Sequence, residues 1–350
     1  MKNIAILAGD GIGPEVVAEA VKVLQAADKK HSIGFVFSYE LIGACAIDAT
    51  GDPLPAATVA RCQSSDAVLL GAVGHPRFDS DPAAKVRPEQ GLLKIRKTLG
   101  LYANIRPIKS YKSLYNASPL KESLIADVDF VVFRELTGGI YFGEKGRKNN
   151  GNEAFDLCTY SVEEVERIAR LAFEAAQNRR KHLTLVDKAN VLETSRLWRD
   201  VVSKTSKNFP NVKFDSMFVD NAAMKIVQQP AFFDVVLTEN MFGDILTDEA
   251  SAITGSIGML PSSSVGSKVA LFEPIHGSFP EGAGKGIANP MATILSAALM
   301  LDYLGYPAAA QEVRAAVELA LQKGVVTGEI SKDNPASTSE VGDFIAGSIV

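Results

Sequence analysis

Three cysteines in 350 residues, Cys45, Cys62 and Cys158, are too few and too scattered for a disulfide framework, and without C-x-x-C spacing they suggest no zinc site. Basic residues are in deficit, and a formal net charge of -5 leaves no electrostatic footprint for nucleic acid. No apolar run approaches the roughly 20 residues that cross a bilayer. The opening "MKNIAILAGDG" has only about five apolar residues before Gly and Asp, too few for the core of a signal peptide. No membrane association and a cytoplasmic location are therefore expected. Repeats and low-complexity tracts are absent too. What remains is an ordinary globular composition, 47% hydrophobic and 22% charged, in a chain long enough for two domains.

A third glycine is also missing. "LAGDGIGPE", residues 7–15, follows an apolar run and precedes a helical pattern, as a phosphate-binding turn would. The dinucleotide fingerprint G-x-G-x-x-G needs its last glycine for helix and strand to close over a pyrophosphate. Counting from Gly9 and Gly11 that position is Pro14, and from Gly11 and Gly13 it is Val16. Glu40 lies where a ribose-binding acid would stand, but without the fingerprint it has no assigned partner.

Short apolar runs, "NIAIL", "DAVLLGAV", "DFVVF", "HLTLV" and "FDVVLT", alternate with helical stretches such as "PEVVAEAVKVLQAA", in which Val16, Val17, Ala20, Val23 and Leu24 share a face. This is an α/β pattern. "YFGEKGRKNNGNEAFDLCTYS" is polar and glycine-rich at its start, and reads as either a loop or a projecting hairpin arm. Ser161 and Glu164 spell a capping box before the next helix, and Pro290 is placed to start another.

Several constellations have chemical potential. Asp244 and Asp248 lie four residues apart, on one face of a helix, where like charges repel and a cation would relieve them. Asp220, ending a strand-like run, could complete a three-carboxylate oxygen site for Mg²⁺ or Mn²⁺. Alternatively Asp244 caps the helix and Asp248 is solvated, and spacing alone favours that. Arg96, Arg106 and Arg134 sit where backbones turn, and the planar guanidinium suits carboxylate recognition, although structural ion pairing is the commoner use. Glu89, Leu92, Leu93 and Arg96 share a helical face, which would fit a branched alkyl group beside a carboxylate or an ordinary core stripe. Tyr141, beyond the Gly138-Gly139 turn, and Lys188, just past a strand, are candidates for general acid and base.

Together "GDGIGPE", "GLLKIRK", "ANIRP", "RELTGGIYFGE", "VDKANVL", "NMFGDILTDEAS" and "FEPIHGSFPEGAGKGIANP" run in the order found in the β-decarboxylating dehydrogenases. The chain closely resembles this isocitrate/isopropylmalate dehydrogenase family over nearly its whole length, and within it the branch acting on 3-isopropylmalate. The resemblance implies a two-domain, doubly wound α/β fold that is not a true Rossmann fold. Residues 1–101 and 255–350 would form a discontinuous nucleotide-binding domain. Residues 102–254 would form the substrate, metal and dimerisation domain, with a projecting arm at about 141–160.

The resemblance also implies roles. NAD is expected on Ile12, Glu273, His276, Gly277, Ser278, Glu281, Gly282 and Asn289, with His276 near the adenosine, Asn289 at the adenine and Glu281 at the ribose hydroxyls, where its charge would repel the extra phosphate of NADP. Relatives usually carry Asp at 281 and a bulkier aliphatic residue at 282, so a longer acid and lost packing are expected to loosen this site. Arg96, Arg106 and Arg134 would clamp the substrate's carboxylates, Mg²⁺ or Mn²⁺ would sit on Asp220, Asp244 and Asp248, and Lys188 and Tyr141 would move protons. Asp220 would contact substrate as well. Leu92, Leu93 and Val191 resemble the isopropyl-binding face, joined by Glu89, where a third carboxylate would be desolvated and unpaired. Homodimers with shared active sites are implied, Lys188 and Asp220 entering the partner's site. A relative oxidising malate, tartrate or an alkylmalate homologue is the second reading, and a catalytically silent subunit the third. The presence of Tyr141, Lys188 and all three aspartates speaks against the last.

Overall fold

The apolar run after Lys2 forms a strand, Lys2–Gly9, and the helix Gly13–His31 follows the turn at residues 10–12. These elements belong to a computed structural model that describes residues 1–79 and 86–349. Pro14 opens the helix, Glu15 sits in its first turn and Lys29, Lys30 and His31 in its last, all complementing the helix dipole. Its buried face includes Val16, Val17, Ala20, Val23, Leu24 and Ala27.

The glycines of the opening turn serve close packing. Gly11 adopts φ +60°, which a side chain would disfavour. The start of the helix lies so close to the strand Ala67–Ala72 that a β-carbon on Gly71 would stand 2.9 Å from the α-carbon of Gly13. Glu40, meanwhile, faces the guanidinium of Arg61 at 3.5 Å.

The chain divides into two compact units, Met1–Leu101 with Gly255–Val350, and Tyr102–Thr254. In the first, the strand order is Phe35–Tyr39, Lys2–Gly9, Ala67–Ala72, Ala270–Pro274, Pro261–Val265. Neighbours pair in parallel except the last two, which are antiparallel. Ala67–Ala72 is buried throughout, as a continuous apolar run in a parallel sheet should be. The helix Met291–Tyr303, with Pro290 at its N-cap, is buried on nearly every side and correspondingly apolar all round.

In the second unit the order is Ala103–Lys109, Asp129–Glu135, Val235–Thr238, His182–Asp187, Lys213–Phe218, the first pair antiparallel and the rest parallel. The capping box is present, with Ser161 N–H donating to Glu164 Oε2 at 2.8 Å and Glu164 N–H to Ser161 Oγ at 3.3 Å. It opens the helix Val162–Gln177, whose Phe173 stacks on Phe209 at 5.1 Å. The polar excursion resolves as a hairpin, Lys145–Lys148 against Glu153–Asp156.

Two placements differ from the sequence reading. The three arginines do not sit at turns: Arg96 lies within the helix Pro88–Thr98, Arg106 within the strand Ala103–Lys109 and Arg134 within Asp129–Glu135. Asp220 does not end a strand; the strand stops at Phe218 and Asp220 occupies the first turn of the helix Val219–Gln228, where a negative charge meets the helix dipole favourably.

The close approach of helix and strand is testable. Gly71→Ala should destabilise the protein by about 1–3 kcal/mol, since neither backbone can retreat from the added methyl group. Unchanged urea midpoints would show that the two backbones are not in contact.

Candidate active site

The second unit holds the densest charge cluster. Its centre is Asp244, inside the helix Asn240–Thr254 and so not the cap that its spacing allowed. One carboxylate oxygen, Oδ1, accepts from Arg134 Nη1 and lies 3.5 Å from Arg106 Nη2. The other, Oδ2, accepts from the Tyr141 hydroxyl at 3.0 Å. Asp248, one turn further along, is 3.9 Å from Arg106 Nη1 and keeps 67% of its side chain exposed. Arg106 therefore bridges the two like charges, a task for which the sequence offered a metal cation as one of two readings.

Both guanidiniums are nearly buried, at 7% and 3% exposure, and need acceptors in place of water. Arg134 donates from Nε and Nη2 to Asn240 Oδ1 at 3.1 and 2.8 Å. Arg106 donates to Asn104 Oδ1 and Thr247 Oγ1, each at 2.5 Å. Gly243 is required here, because a β-carbon would stand 2.7 Å from Arg134 Cγ. Burial, then the adjacent Asp244 charge, pushes the Tyr141 phenol above its usual range, so it carries its proton at neutral pH. Burial also raises Asp248, against the opposing pull of Arg106.

Tyr160 supports this cluster. Its hydroxyl donates to Glu239 Oε2 at 3.2 Å and accepts from Asn240 N–H at 3.1 Å, while its ring fills the space above Gly138 and Gly139, ahead of Tyr141. Tyr160, Asn240, Asn104 and Thr247 were not foreseen from sequence. Asn104, Asn240 and Thr247 lie inside the quoted motifs, but nothing in the motifs marks them as supports: Asn104 meets Arg106 along one strand, and the others reach their partners through tertiary contact.

Lys188 and Asp220 form a separate pair, Nζ to Oδ1 at 2.7 Å, and this hydrogen bond lowers the Asp220 carboxyl below its ordinary value. Val191 follows, its N–H donating to Lys188 O, and is 61% exposed. Among the described residues no three acidic, histidine or cysteine side chains of one chain group as a metal site, so Asp220 does not join Asp244 and Asp248 within a subunit. The donors that do come together, two carboxylates one turn apart and partly open to solvent, suit a hard cation that completes its shell with water and ligand oxygens.

In the first unit, Glu89, Leu92, Leu93 and Arg96 lie on the helix Pro88–Thr98, whose core-facing residues are Pro88, Gly91 and Ile95. The two leucines are therefore not the core stripe; Leu92 is half-buried and Leu93 is 37% exposed. Arg96 Nη2 pairs with the buried Glu273 at 2.8 Å, while its Nε is buried with no hydrogen-bond partner. Glu89 is exposed, its carboxylate close to Gly74.

A cavity of about 340 Å³ opens among Ile12, His276, Gly277, Phe279, Asn289 and Glu329, together with small and aliphatic residues. His276 Nδ1 is 2.9 Å from Gly277 O, but Nε2 is buried without a partner. Ser278 lies behind the turn, its carbonyl accepting from Ile12 N–H at 2.8 Å. Glu281 and Gly282 are on the short turn Pro280–Gly282, Glu281 exposed and Gly282 buried. The packing expected to be lost at Gly282 is instead supplied by the ring of Phe279, which fills that space. Glu15 accepts from the N–H groups of Gly284 and Gly286 and ties the loop down. An apolar cavity with one unsatisfied buried nitrogen fits a flat, mostly apolar heterocycle with polar edges.

Burial depresses His276 below its ordinary 6.5. The unfolded chain then takes up the proton more readily, so the stability contributed by the neutral ring is present above about 6.5 and lost as pH falls below it. The imidazole resonances should titrate with a midpoint below 6.5 in the apo protein, and a midpoint at or above that value would show an exposed ring.

The chain matches the isocitrate/isopropylmalate dehydrogenase family over residues 3–345. It is 52% identical over 345 residues to a 3-isopropylmalate dehydrogenase of Bacteroides fragilis, covering 98% of this chain and 97% of the relative. To the enzyme of that name from Moorella thermoacetica it is 54% identical over 351 residues, covering 99% and 98%. Among solved structures, isocitrate dehydrogenase from Methylococcus capsulatus superposes with TM-score 0.90 at 34% identity, over 100% of this chain and 99% of that one. A β-decarboxylating dehydrogenase from Thermococcus kodakarensis superposes with TM-score 0.82 at 38% identity, over 100% and 96%. Over nearly its entire length, the chain belongs to the isocitrate/isopropylmalate dehydrogenase family.

Proposed function

We propose that the chain is an NAD-dependent 3-isopropylmalate dehydrogenase of leucine biosynthesis, converting (2R,3S)-3-isopropylmalate to 4-methyl-2-oxopentanoate and CO₂. The observation that carries the choice of substrate is the pair Leu92 and Leu93, held out of the core beside a half-buried arginine. Burying a methyl or methylene group there is worth about 0.8 kcal/mol, whereas a third carboxylate against two leucines would be stripped of water with nothing to pair it.

Arg96, Arg106 and Arg134 are assigned to the two malate carboxylates, each fork matching a pair of oxygens. Asn104, Asn240, Thr247 and Asp244 fix the Arg106 and Arg134 heads before substrate arrives, so little orientation is lost on binding. Asp244, Asp248 and the partner subunit's Asp220 would hold Mg²⁺ or Mn²⁺, which would supply Lewis-acid stabilisation of negative charge developing on the substrate, and bound NAD⁺ would supply the hydride acceptor. Lys188 would help remove the hydroxyl proton as C2 is oxidised, accepting it as the free amine once Asp220 is given over to the metal and the ion pair between them is released. After CO₂ departs, Tyr141 delivers its proton to C3, a role suited to a phenol kept protonated by burial and by Asp244. Glu281 favours NAD by repelling an additional ribose phosphate.

A homodimer with shared sites follows from the same reading. Lys188 and Asp220 stand apart from the Asp244 cluster within one chain, and exposed apolar side chains surround them in sequence: Val191, Leu192, Met224 and Val227. The soluble assembly is placed in the cytoplasm.

Two experiments test this. NADH formation should be fastest with 3-isopropylmalate and NAD⁺, far slower with isocitrate, malate, tartrate or NADP⁺, and abolished by thorough chelation until Mg²⁺ or Mn²⁺ is restored. Isocitrate as best substrate, or activity indifferent to chelation, sinks the corresponding assignment. Separately, Tyr141→Phe and Lys188→Ala subunits, each nearly inactive alone, should regain about a quarter of wild-type activity when reassembled together, because each mixed dimer keeps one intact site. Absence of any recovery would mean that each chain builds its own site.

A further inference from the structure

We infer that Phe279 is a binding residue for the adenine ring of the dinucleotide, an aromatic platform laid over Gly282. The inference rests on reading the His276 cavity as the adenosine site and adds to it a residue and a mode of contact. Phe279 has φ +37° and ψ 65°, a left-handed conformation that is an outlier for a bulky residue and costs backbone energy. Its side chain is nonetheless 50% exposed, so the conformation is not repaid by burying the ring. It lines both the His276 cavity and a neighbouring one of about 580 Å³.

The ring's position is set by Gly282. Ring carbons Cδ1 and Cε1 occupy the place where a β-carbon on residue 282 would stand, and Ile12 Cγ2 is 3.3 Å from the same point. Ring, glycine and isoleucine thus make one apolar floor at the cavity, and the Gly282 N–H donates to Phe279 O at 3.0 Å to hold the turn. Any side chain at 282 would evict the ring, which is why a glycine accompanies the phenylalanine. A flat aromatic surface left open beside a cavity with an unpartnered imidazole nitrogen is complementary to a planar heterocycle. The ring takes its face and the nitrogen a polar edge. Stacking of this kind changes affinity by about tenfold.

The test is calorimetric titration of the purified full chain with NAD⁺, AMP and nicotinamide mononucleotide. F279L, which keeps apolar bulk but no aromatic face, should weaken AMP and NAD⁺ about tenfold while leaving nicotinamide mononucleotide unchanged. F279Y should bind all three as wild type does. In F279W, AMP should quench emission beyond any change seen in wild type, whose sole tryptophan is Trp198. Wild-type affinity for AMP in F279L, or no added quenching in F279W at saturating NAD⁺, overturns the assignment of Phe279 while leaving the adenosine cavity intact. If wild type binds NAD⁺ but the fragment AMP and NAD⁺ are insensitive to His276→Ala as well, the cavity reading fails and this inference with it.

Discussion

The second unit is organised by one carboxylate. Asp244 holds Arg134 and Arg106 through one oxygen and Tyr141 through the other, and so fastens the helix Asn240–Thr254 to the two strands that carry the arginines and to the turn that carries the tyrosine. Such an arrangement is not primarily a source of stability. Removing two guanidinium groups from water costs several kcal/mol each, which the ion pairs offset with the help of further acceptors on Asn240, Asn104 and Thr247. What the cluster supplies is orientation: Arg106, Arg134 and Tyr141, the groups given roles in the proposed function, are held by a single anchor. The constraint spreads outward to Gly243, which can bear no side chain, and to Tyr160, whose hydroxyl caps the start of the helix.

The first unit is built differently. Its cavity is mostly apolar, and the loop around it is shaped by backbone contacts: Ile12 N–H on the Ser278 carbonyl, Glu15 on two glycine N–H groups. The opening turn, which resembles a phosphate cradle, thus acts as a buttress for a glycine-rich loop some 270 positions later in the chain. Its glycines are spent on close helix and strand packing, which explains why the fingerprint's third glycine can be missing without loss of the fold.

How much of this was legible depended on whether the signal was local. Buried strands announced themselves as unbroken apolar runs, and the box at Ser161 and Glu164 marked its helix to the residue. The strand Ala103–Lys109 was hidden because Arg106 and Pro107 interrupt its apolar pattern, and a charged residue in a strand is tolerated only where tertiary partners neutralise it. Asp220 was misplaced by two residues for a similar reason: the helix it opens begins directly where the strand stops, with no turn residue between. Pairings such as Arg134 with Asn240, 106 positions apart, have no local signature at all. The ordered motifs named these residues, but the hydrogen bonds among them could be read only from the fold.

Charge accounting over the Asp244 cluster links structure to the proposed chemistry. Arg106 and Arg134 carry two positive charges and Asp244 and Asp248 two negative ones, so the set is neutral as it stands. A divalent cation alone would add two positive charges beside buried guanidiniums, and a malate dianion alone would add two negative charges beside the aspartates. Either imbalance at a partly desolvated site is costly. Both together leave the net charge unchanged, and each supplies the counter-charge that the other's new neighbours lack. On the proposed function, metal and diacid would therefore bind this cluster as a pair, each favouring the binding of the other. Because Asp248 is the more exposed carboxylate and Asp244 the more firmly held, the pair would enter from the Asp248 side, leaving Tyr141 anchored behind it with its proton in reserve.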